Sequence, residues 1–398
     1  MEIPLHRSTR ASTPPARSGP ALWNLGFRPF YLLASSFAAV SVLLWVAQFS
    51  GWLPRAYLAG PIWHGHEMLF GFATAVIAGF LLTAVPTWTQ QPPLRGVPLM
   101  ALALLWLAAR VLVLTPFGVA ATVANALFPL AVATAIAVPL LRTRNLRNVV
   151  FIGLLSLLGI LALTVHLAMG GVLQLPALTG LRLGLDVVLV VMVIIAGRVV
   201  PMFTNNGVPG THAIRHPLLE KLALATIVLV FAADLLQWDP LLVAAIMWLA
   251  ALVHGTRLFL WQPWRTWKTP LVWILHAAYA WIVVHLMLRG LSAAGWVTPS
   301  AATHALTVGA IGGLTIGMMA RTARGHTGMP LEAGRAELSM FILIQLAALA
   351  RVCGGVLASD HYLASVQASS LLWGVAFAVY AIRYWPLLTR PRVDGRPG

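Results

Sequence analysis

Apolar residues recur along the chain in runs of about 20, the length an α-helix needs to cross the hydrocarbon core of a bilayer. Twelve such runs stand out, at 29–50, 62–88, 97–114, 118–141, 147–168, 183–204, 218–237, 240–261, 269–289, 302–320, 336–357 and 361–384. The predicted fold is all-α, a polytopic transmembrane helical bundle of about 12 spans. The division between 97 and 141 rests only on Pro116 and Gly118, which separate two apolar runs. Residues 1–22 are rich in Arg, Ser and Pro and lack an apolar core, so they read as a disordered cytoplasmic tail rather than a cleaved leader. Residues 23–388 form a single transmembrane domain, and 389–398 form a second cytoplasmic tail.

The composition fits this pattern. Of 398 residues, 60% are hydrophobic and 9% charged, against about 25% charged in a soluble domain. The net charge of +16 does not mark a nucleic-acid face, because the basic residues alternate between loops. With the N-terminus inside, 20 of the 26 Lys and Arg residues fall in inner loops and tails. Arg55, Arg182 and Arg289 fall in outer loops, and Arg110, Arg198 and Arg351 lie within spans. This positive-inside bias puts both termini in the cytoplasm of a bacterial inner membrane. One cysteine, Cys353, and no CxxC or CxxCH exclude an intramolecular disulfide, a thiolate metal cluster and a covalent c-type haem. No dinucleotide fingerprint, P-loop or nucleophile elbow occurs. Trp261, Trp264 and Trp267, near an inner loop, read as interface anchors.

Two spans echo each other. His66, Gly71, Ala75 and Gly79 in the second, and His304, Gly309, Gly313 and Gly317 in the tenth, share H-x4-G-x3-[AG]-x3-G. The span after each carries a similar arginine, Arg110 in "LAARVL" and Arg351 in "ALARVC". A duplicated helix pair accounts for this, as in many transporters. Small residues four apart form a seam for close helix approach. Gly71 lies roughly 140° around the helix from His66, so seam and histidine face different neighbours.

The candidate chemistry lies with the histidines. His64, His66, His166, His285 and His304 fall toward the outer ends of their spans, His254 and His276 in the inner halves, and His326 in the inner loop "RTARGHTGMP". Neutral imidazole ligates transition metals and haem iron; the alternative is interhelical hydrogen bonding. His64 and His66 diverge by about 200° on a regular helix, too far to grip one ion. Either the chain is irregular at Gly65 or the two serve different sites. Glu67 is placed to orient an imidazole. Arg110, Arg351, Asp186 and Asp234 share the outer level, open either to Arg–Asp pairing or to guanidinium binding of haem propionates. Arg198 is expected to bond carbonyls freed by Pro201.

"FRPFYLL" at 27–33, "WHGHEMLFGFATAVIAGFLLTAVPTW" at 63–88, "GRVVPMFTNN" at 197–206, "PLVWILHAAYAW" at 270–281 and "HALTVGAIGGLTIGMMARTARGHTGMPL" at 304–331 resemble the NnrS proteins, from about residue 24 to 385. The resemblance implies a twelve-span bacterial inner-membrane protein that binds haem and copper and is tied to denitrification and nitric oxide tolerance. The haem would be non-covalent, of the b type. The family's motif histidines fall on His64, His66, His276, His304 and His326. Depth favours His66 and His304 as haem ligands, with Arg110 and Arg351 as propionate partners. His64, His285 and Glu67 are then candidates for copper, while His276 and His326 suit a second inner site or a gate. Glycine stands between the histidines of "WHGHE" where the family commonly has alanine. The implied partners are the lipid bilayer, nitric oxide or a related small molecule, and a quinol or other electron donor. Two other functions compete. A twelve-span secondary transporter with a histidine-lined pathway would bind no metal. A quinol-linked nitric oxide reductase of the haem–copper type would carry adjacent histidines, and the chain has no HH.

Overall fold

A computed structural model describes residues 21–52, 58, 60–357 and 361–395. His6, Arg55, Arg396 and nearly all of the expected N-terminal tail lie outside the described residues. Twelve long helices follow one another: α1 (Phe27–Phe49), α2 (Gly60–Thr89), α3 (Val97–Leu112), α4 (Gly118–Arg142), α5 (Val150–Met169), α6 (Ala177–Gly207), α7 (Pro217–Leu235), α8 (Pro240–Leu260), α9 (Pro270–Ala293), α10 (Pro299–Thr327), α11 (Arg335–Leu357) and α12 (Tyr362–Thr389). No strand occurs among the described residues. Ten of the twelve are long and apolar enough to cross a membrane. The other two fail for separate reasons: α3 has 16 residues, and α7 carries Glu220, Lys221 and Asp234. This is a multi-pass membrane protein.

The helix starts follow from the sequence. Proline opens α7, α8, α9 and α10, where its missing N–H costs nothing. Asp239 caps α8 by accepting from the Leu241 and Leu242 amides at 2.9 and 3.3 Å. Both described ends of the chain meet on one side. Arg28 Nη1 donates to the carbonyls of Leu387, Leu388 and Arg390 at 3.2, 3.0 and 2.8 Å, a cation at the negative end of the last helix. We call this end of the bundle proximal and the opposite end distal.

The sequence echo has a counterpart in the fold. α2 packs on α1 and α4, and α10 packs on α9 and α12, so the neighbours repeat with an offset of eight helices. In both motif helices the α-helical winding widens to π immediately after the histidine, over Glu67–Ala73 and Ala305–Gly312. A π segment misaligns the backbone ladder and leaves carbonyls to be met from outside. Trp106 of α3 donates to the Gly71 carbonyl at 3.0 Å, and Thr74 Oγ1 to the Leu69 carbonyl at 3.0 Å.

The expected glycine seam is real. A Cβ on Gly79 would stand 3.0 Å from Phe30 and Tyr31; one on Gly313 would stand 2.7 Å from Ala278, and one on Gly317 2.9 Å from Ile274 and Leu275. Gly71 does something more, since its Cβ would lie 2.6 Å from Arg110 Nη1. It clears the path of a buried cation.

Candidate functional site

The five outer histidines predicted from sequence do gather at the distal end, but in three groups. The first is built on α2. His66 is fully buried, and its Nδ1 donates to Glu67 Oε1 at 2.8 Å. Arg110 of α3 reaches the same carboxylate oxygen at 2.6 Å and also bonds Asn125 of α4. The His166 ring of α5 stands edge-on to His66, with centroids 4.8 Å apart.

The second group is built on α10 and α11. His304 Nδ1 donates to the Ser300 carbonyl at 2.7 Å. Arg351 Nη2 donates to Ser300 Oγ at 3.0 Å and to the Tyr362 hydroxyl at 2.8 Å. His64 belongs here rather than with His66. Its ring stacks on Trp45 at 4.8 Å and 15°, and Arg351 is an electrostatic neighbour of both His64 and His304. Residues Gly60–His66 are regular helix, so the two imidazoles diverge and face different neighbours. Gly65 lets α2 approach Leu181 of α6, whose Cδ1 would lie 3.0 Å from a Cβ there.

The third group holds His285 of α9, whose Nδ1 donates to the Ala302 carbonyl at 2.8 Å. One turn on, Arg289 bonds Asp186 at 3.0 Å and also bonds Asp234. This corrects two expectations. Arg289, like Arg182 in α6, is a helix residue and not a loop residue, and Arg289 takes both aspartates, which removes the aspartate-pairing reading that stood beside propionate binding for Arg110 and Arg351. Arg198 also departs from expectation: it bonds Asn148 Oδ1 and the Arg147 carbonyl, not carbonyls near Pro201.

Hydrogen-bond partners fix which ring nitrogen carries the proton in each neutral imidazole. His66, His285 and His304 each give Nδ1–H to a carboxylate or carbonyl, so Nε2 keeps its lone pair. For His66 and His285 that nitrogen is buried without a hydrogen-bond partner. This is how metal-ligating histidines are held. His276, nearer the proximal end, shows the reverse tautomer. Thr204 Oγ1 spends its hydrogen on Val200, so it accepts from His276 Nε2 at 2.8 Å and leaves Nδ1 bare and buried. His254 differs: Nε2 donates to the Ala223 carbonyl and Nδ1 meets the Tyr279 hydroxyl at 2.6 Å. Both its nitrogens are used, and it serves the Arg257–Glu220 pair beside it. Trp261 packs there too, fully buried, so it is no interface anchor, whereas Trp264 and Trp267 are exposed. His326 lies at the proximal end, its ring 5.4 Å from that of Phe27.

Among the described residues, no three His, Cys, Asp or Glu side chains converge on one point as metal ligands. Two surface clefts of about 650 and 430 Å³ open beside α4 and α12, and neither is lined by a histidine. The donor nitrogens are thus distributed along one layer rather than collected in one cage.

The sequence profile of the NnrS proteins matches residues 21–392, nearly the whole chain and every helix carrying these groups. The chain belongs to the NnrS family. At the level of that family it is a nitric-oxide-response membrane protein. No curated protein matches the chain. Within this NnrS bundle, sequence reasoning set His166 at the right level but did not pair it with His66. Asn125, Ser300 and Tyr362 were missed. Ser300 and Tyr362 are polar side chains at the start of an apolar run, a signal shared with many ordinary capping residues, and Asn125 is a lone amide two turns inside one.

Proposed function

We propose that this chain is a haem- and copper-binding protein of the bacterial inner membrane, acting in nitric oxide tolerance or denitrification, with its metal ligands at the distal, periplasmic end. The observation that carries this reading is the set of tautomer-fixed imidazoles there. A buried lone pair with no donor to meet it costs free energy in a low-dielectric interior, and iron or copper is the partner imidazole suits. His66 and His304, equivalent in the two motif helices, are the candidates for haem iron. His285 and His64 are the candidates for copper, with Glu67 holding the His66 ring and His276 and His326 lying nearer the proximal end. Such a centre would supply the redox and gas-binding chemistry that no side chain of the protein offers. Glu67 and the carbonyls of Ala302 and Ser300 would keep each ring turned and each Nε2 deprotonated, and the surrounding apolar helices would exclude water.

The test is an absorbance spectrum of the detergent-purified protein, oxidised and dithionite-reduced, with metal analysis on the same sample. A Soret band with sharpened reduced bands, together with iron and copper, is expected, and haem iron should fall in His66→Ala and His304→Ala proteins that remain folded. A metal-free spectrum from folded protein made with haem and copper supplied would replace this reading with the carrier, for which the repeated motif helices are the supporting feature.

A further inference from the structure

Arg110 and Arg351 are buried at the distal end and Arg289 is half-buried there, and two of the three are neutralised by the protein itself. Arg110 has Glu67, and Arg289 has Asp186 and Asp234. Arg351 is only 6% exposed, yet its hydrogen-bond partners are the neutral hydroxyls of Ser300 and Tyr362. Its Nη1 is buried with no partner. No carboxylate pairs with it among the described residues.

The backbone around Arg351 makes the imbalance larger. Ser300 sits in the first turn of α10 and Tyr362 opens α12, so the hydroxyls that hold the guanidinium come from the N-terminal turns of two helices of 29 and 28 residues. Those ends carry partial positive charge, and neither first turn contains an acidic residue. A cation away from water whose hydrogen-bond partners are neutral hydroxyls is unfavourable unless an anion joins it. A guanidinium fork with an unmet N–H suits a planar oxyanion.

The two motif helices differ in their counter-charge. At the α2 centre the residue after the histidine is Glu67; at the α10 centre it is Ala305. The second centre has the arginine without the internal counter-charge.

We propose that Arg351, with Ser300 and Tyr362, forms a binding site for a carboxylate or small oxyanion at the distal end of α10 and α12. The ligand donates nothing and accepts from Nη1, next to His304 and His64. It has two chemical sources: a free oxyanion such as nitrite, or a carboxylate of a bound haem. Only the second source rests on the metal reading above.

Thermal unfolding of the full-length, detergent-solubilised protein separates them. Sodium nitrite and sodium acetate are titrated against sodium chloride at matched ionic strength, on wild type, Arg351→Gln and Arg351→Lys. In parallel, retention of haem is compared with retention of haem dimethyl ester, which lacks free carboxylates. A saturable rise in Tm with nitrite or acetate, lost in Arg351→Gln and weakened at least tenfold in midpoint concentration in Arg351→Lys, establishes a free-oxyanion site whether or not the protein binds haem. No response to either salt, with the ester retained at least tenfold less well than haem in wild type but equally in Arg351→Gln, establishes a haem carboxylate. If wild type and Arg351→Gln behave alike in both arms, the proposal is wrong. Should Arg351→Gln fail to fold, Tyr362→Phe, which keeps the charge and removes one orienting hydroxyl, is expected to weaken the same responses severalfold; an unchanged response there also overturns the proposal.

Discussion

The two motif helices begin alike and end in different electrostatic states. Around α2, His66, Glu67 and Arg110 form a closed set in which one carboxylate oxygen serves both the imidazole and the guanidinium. Around α10, His304 and Arg351 both lean on Ser300, one on its carbonyl and the other on its hydroxyl. The same histidine, the same π winding and the same arginine from the following helix are present in each. What differs is one side chain, Glu67 against Ala305. The first centre can therefore hold its geometry alone, while the second has a charge to share.

The largest effect expected from this contrast is in stability. Glu67→Ala leaves Arg110 buried with only Asn125 to accept from it, and breaking a buried pair in this way costs about 3–5 kcal/mol. Glu67→Gln keeps an acceptor oxygen and should lose less. Arg351→Met strands no carboxylate, and the two hydrogen bonds it loses are offset by removal of an uncompensated buried charge, so its cost should stay near about 1 kcal/mol. Unfolding in detergent with and without nitrite measures all three. Equal losses at the two centres would mean that internal charge compensation is not what separates them.

The glycine that follows each histidine by five sharpens the comparison at a smaller scale. A Cβ on Gly309 would stand 2.3 Å from Trp281 Cγ, and that indole is tethered to Gln345 by a 2.9 Å hydrogen bond. A Cβ on Gly71 would meet Phe37 at 2.8 Å and the end of the Arg110 side chain at 2.6 Å. Overpacking costs about 1–3 kcal/mol, and Gly309→Ala should fall at the upper end because a ring must move. Gly71→Ala should cost less but disturb the Arg110–Glu67 pair, so its penalty should shrink in a Glu67→Gln background. A penalty that stays the same there would show that Gly71 makes room for Phe37 and not for the ion pair.

The histidines offer a third comparison, between a ring with a bare nitrogen and one with none. His66→Ala should lose most bound metal. His254→Ala should keep it while losing about 1–3 kcal/mol, because its partners Tyr279 and Ala223 are left unmatched. If metal content falls equally in both folded proteins, the lone-pair argument fails.

All twelve helices were legible in the sequence because a span is a property of about 20 consecutive residues, and no distant contact can override it. The gathering of histidines at one end was legible for the same reason, since depth follows from position within a span. Which histidine meets which was not. That depends on helix rotation and on neighbours far apart in the chain, as His66 with His166 of α5 and His64 with Trp45 of α1. Arg289 was misjudged because it sits at the last apolar residue of its run, and a basic residue there reads as a loop boundary. Only the fold reveals that α6 and α7 bring Asp186 and Asp234 to it.

The smallest effect is the most discriminating for the second centre. Ser300 offers two groups: its hydroxyl accepts from Arg351 and lies 3.3 Å from His304 Nδ1, while its carbonyl is the closer acceptor for that nitrogen at 2.7 Å. Ser300→Ala removes the first and keeps the second. Arg351 Nη2 retains the Tyr362 hydroxyl at 2.8 Å, so the loss should be about 0.6 kcal/mol, the scale of a single interhelical hydrogen bond in a membrane protein. The His304 tautomer is set by the backbone and should persist, leaving metal content unchanged. Ser300→Ala with Tyr362→Phe leaves that nitrogen with neither partner and should cost more than the two single changes summed. Additive losses would mean that the two hydroxyls act separately, and that Arg351 is already held by something other than the pair.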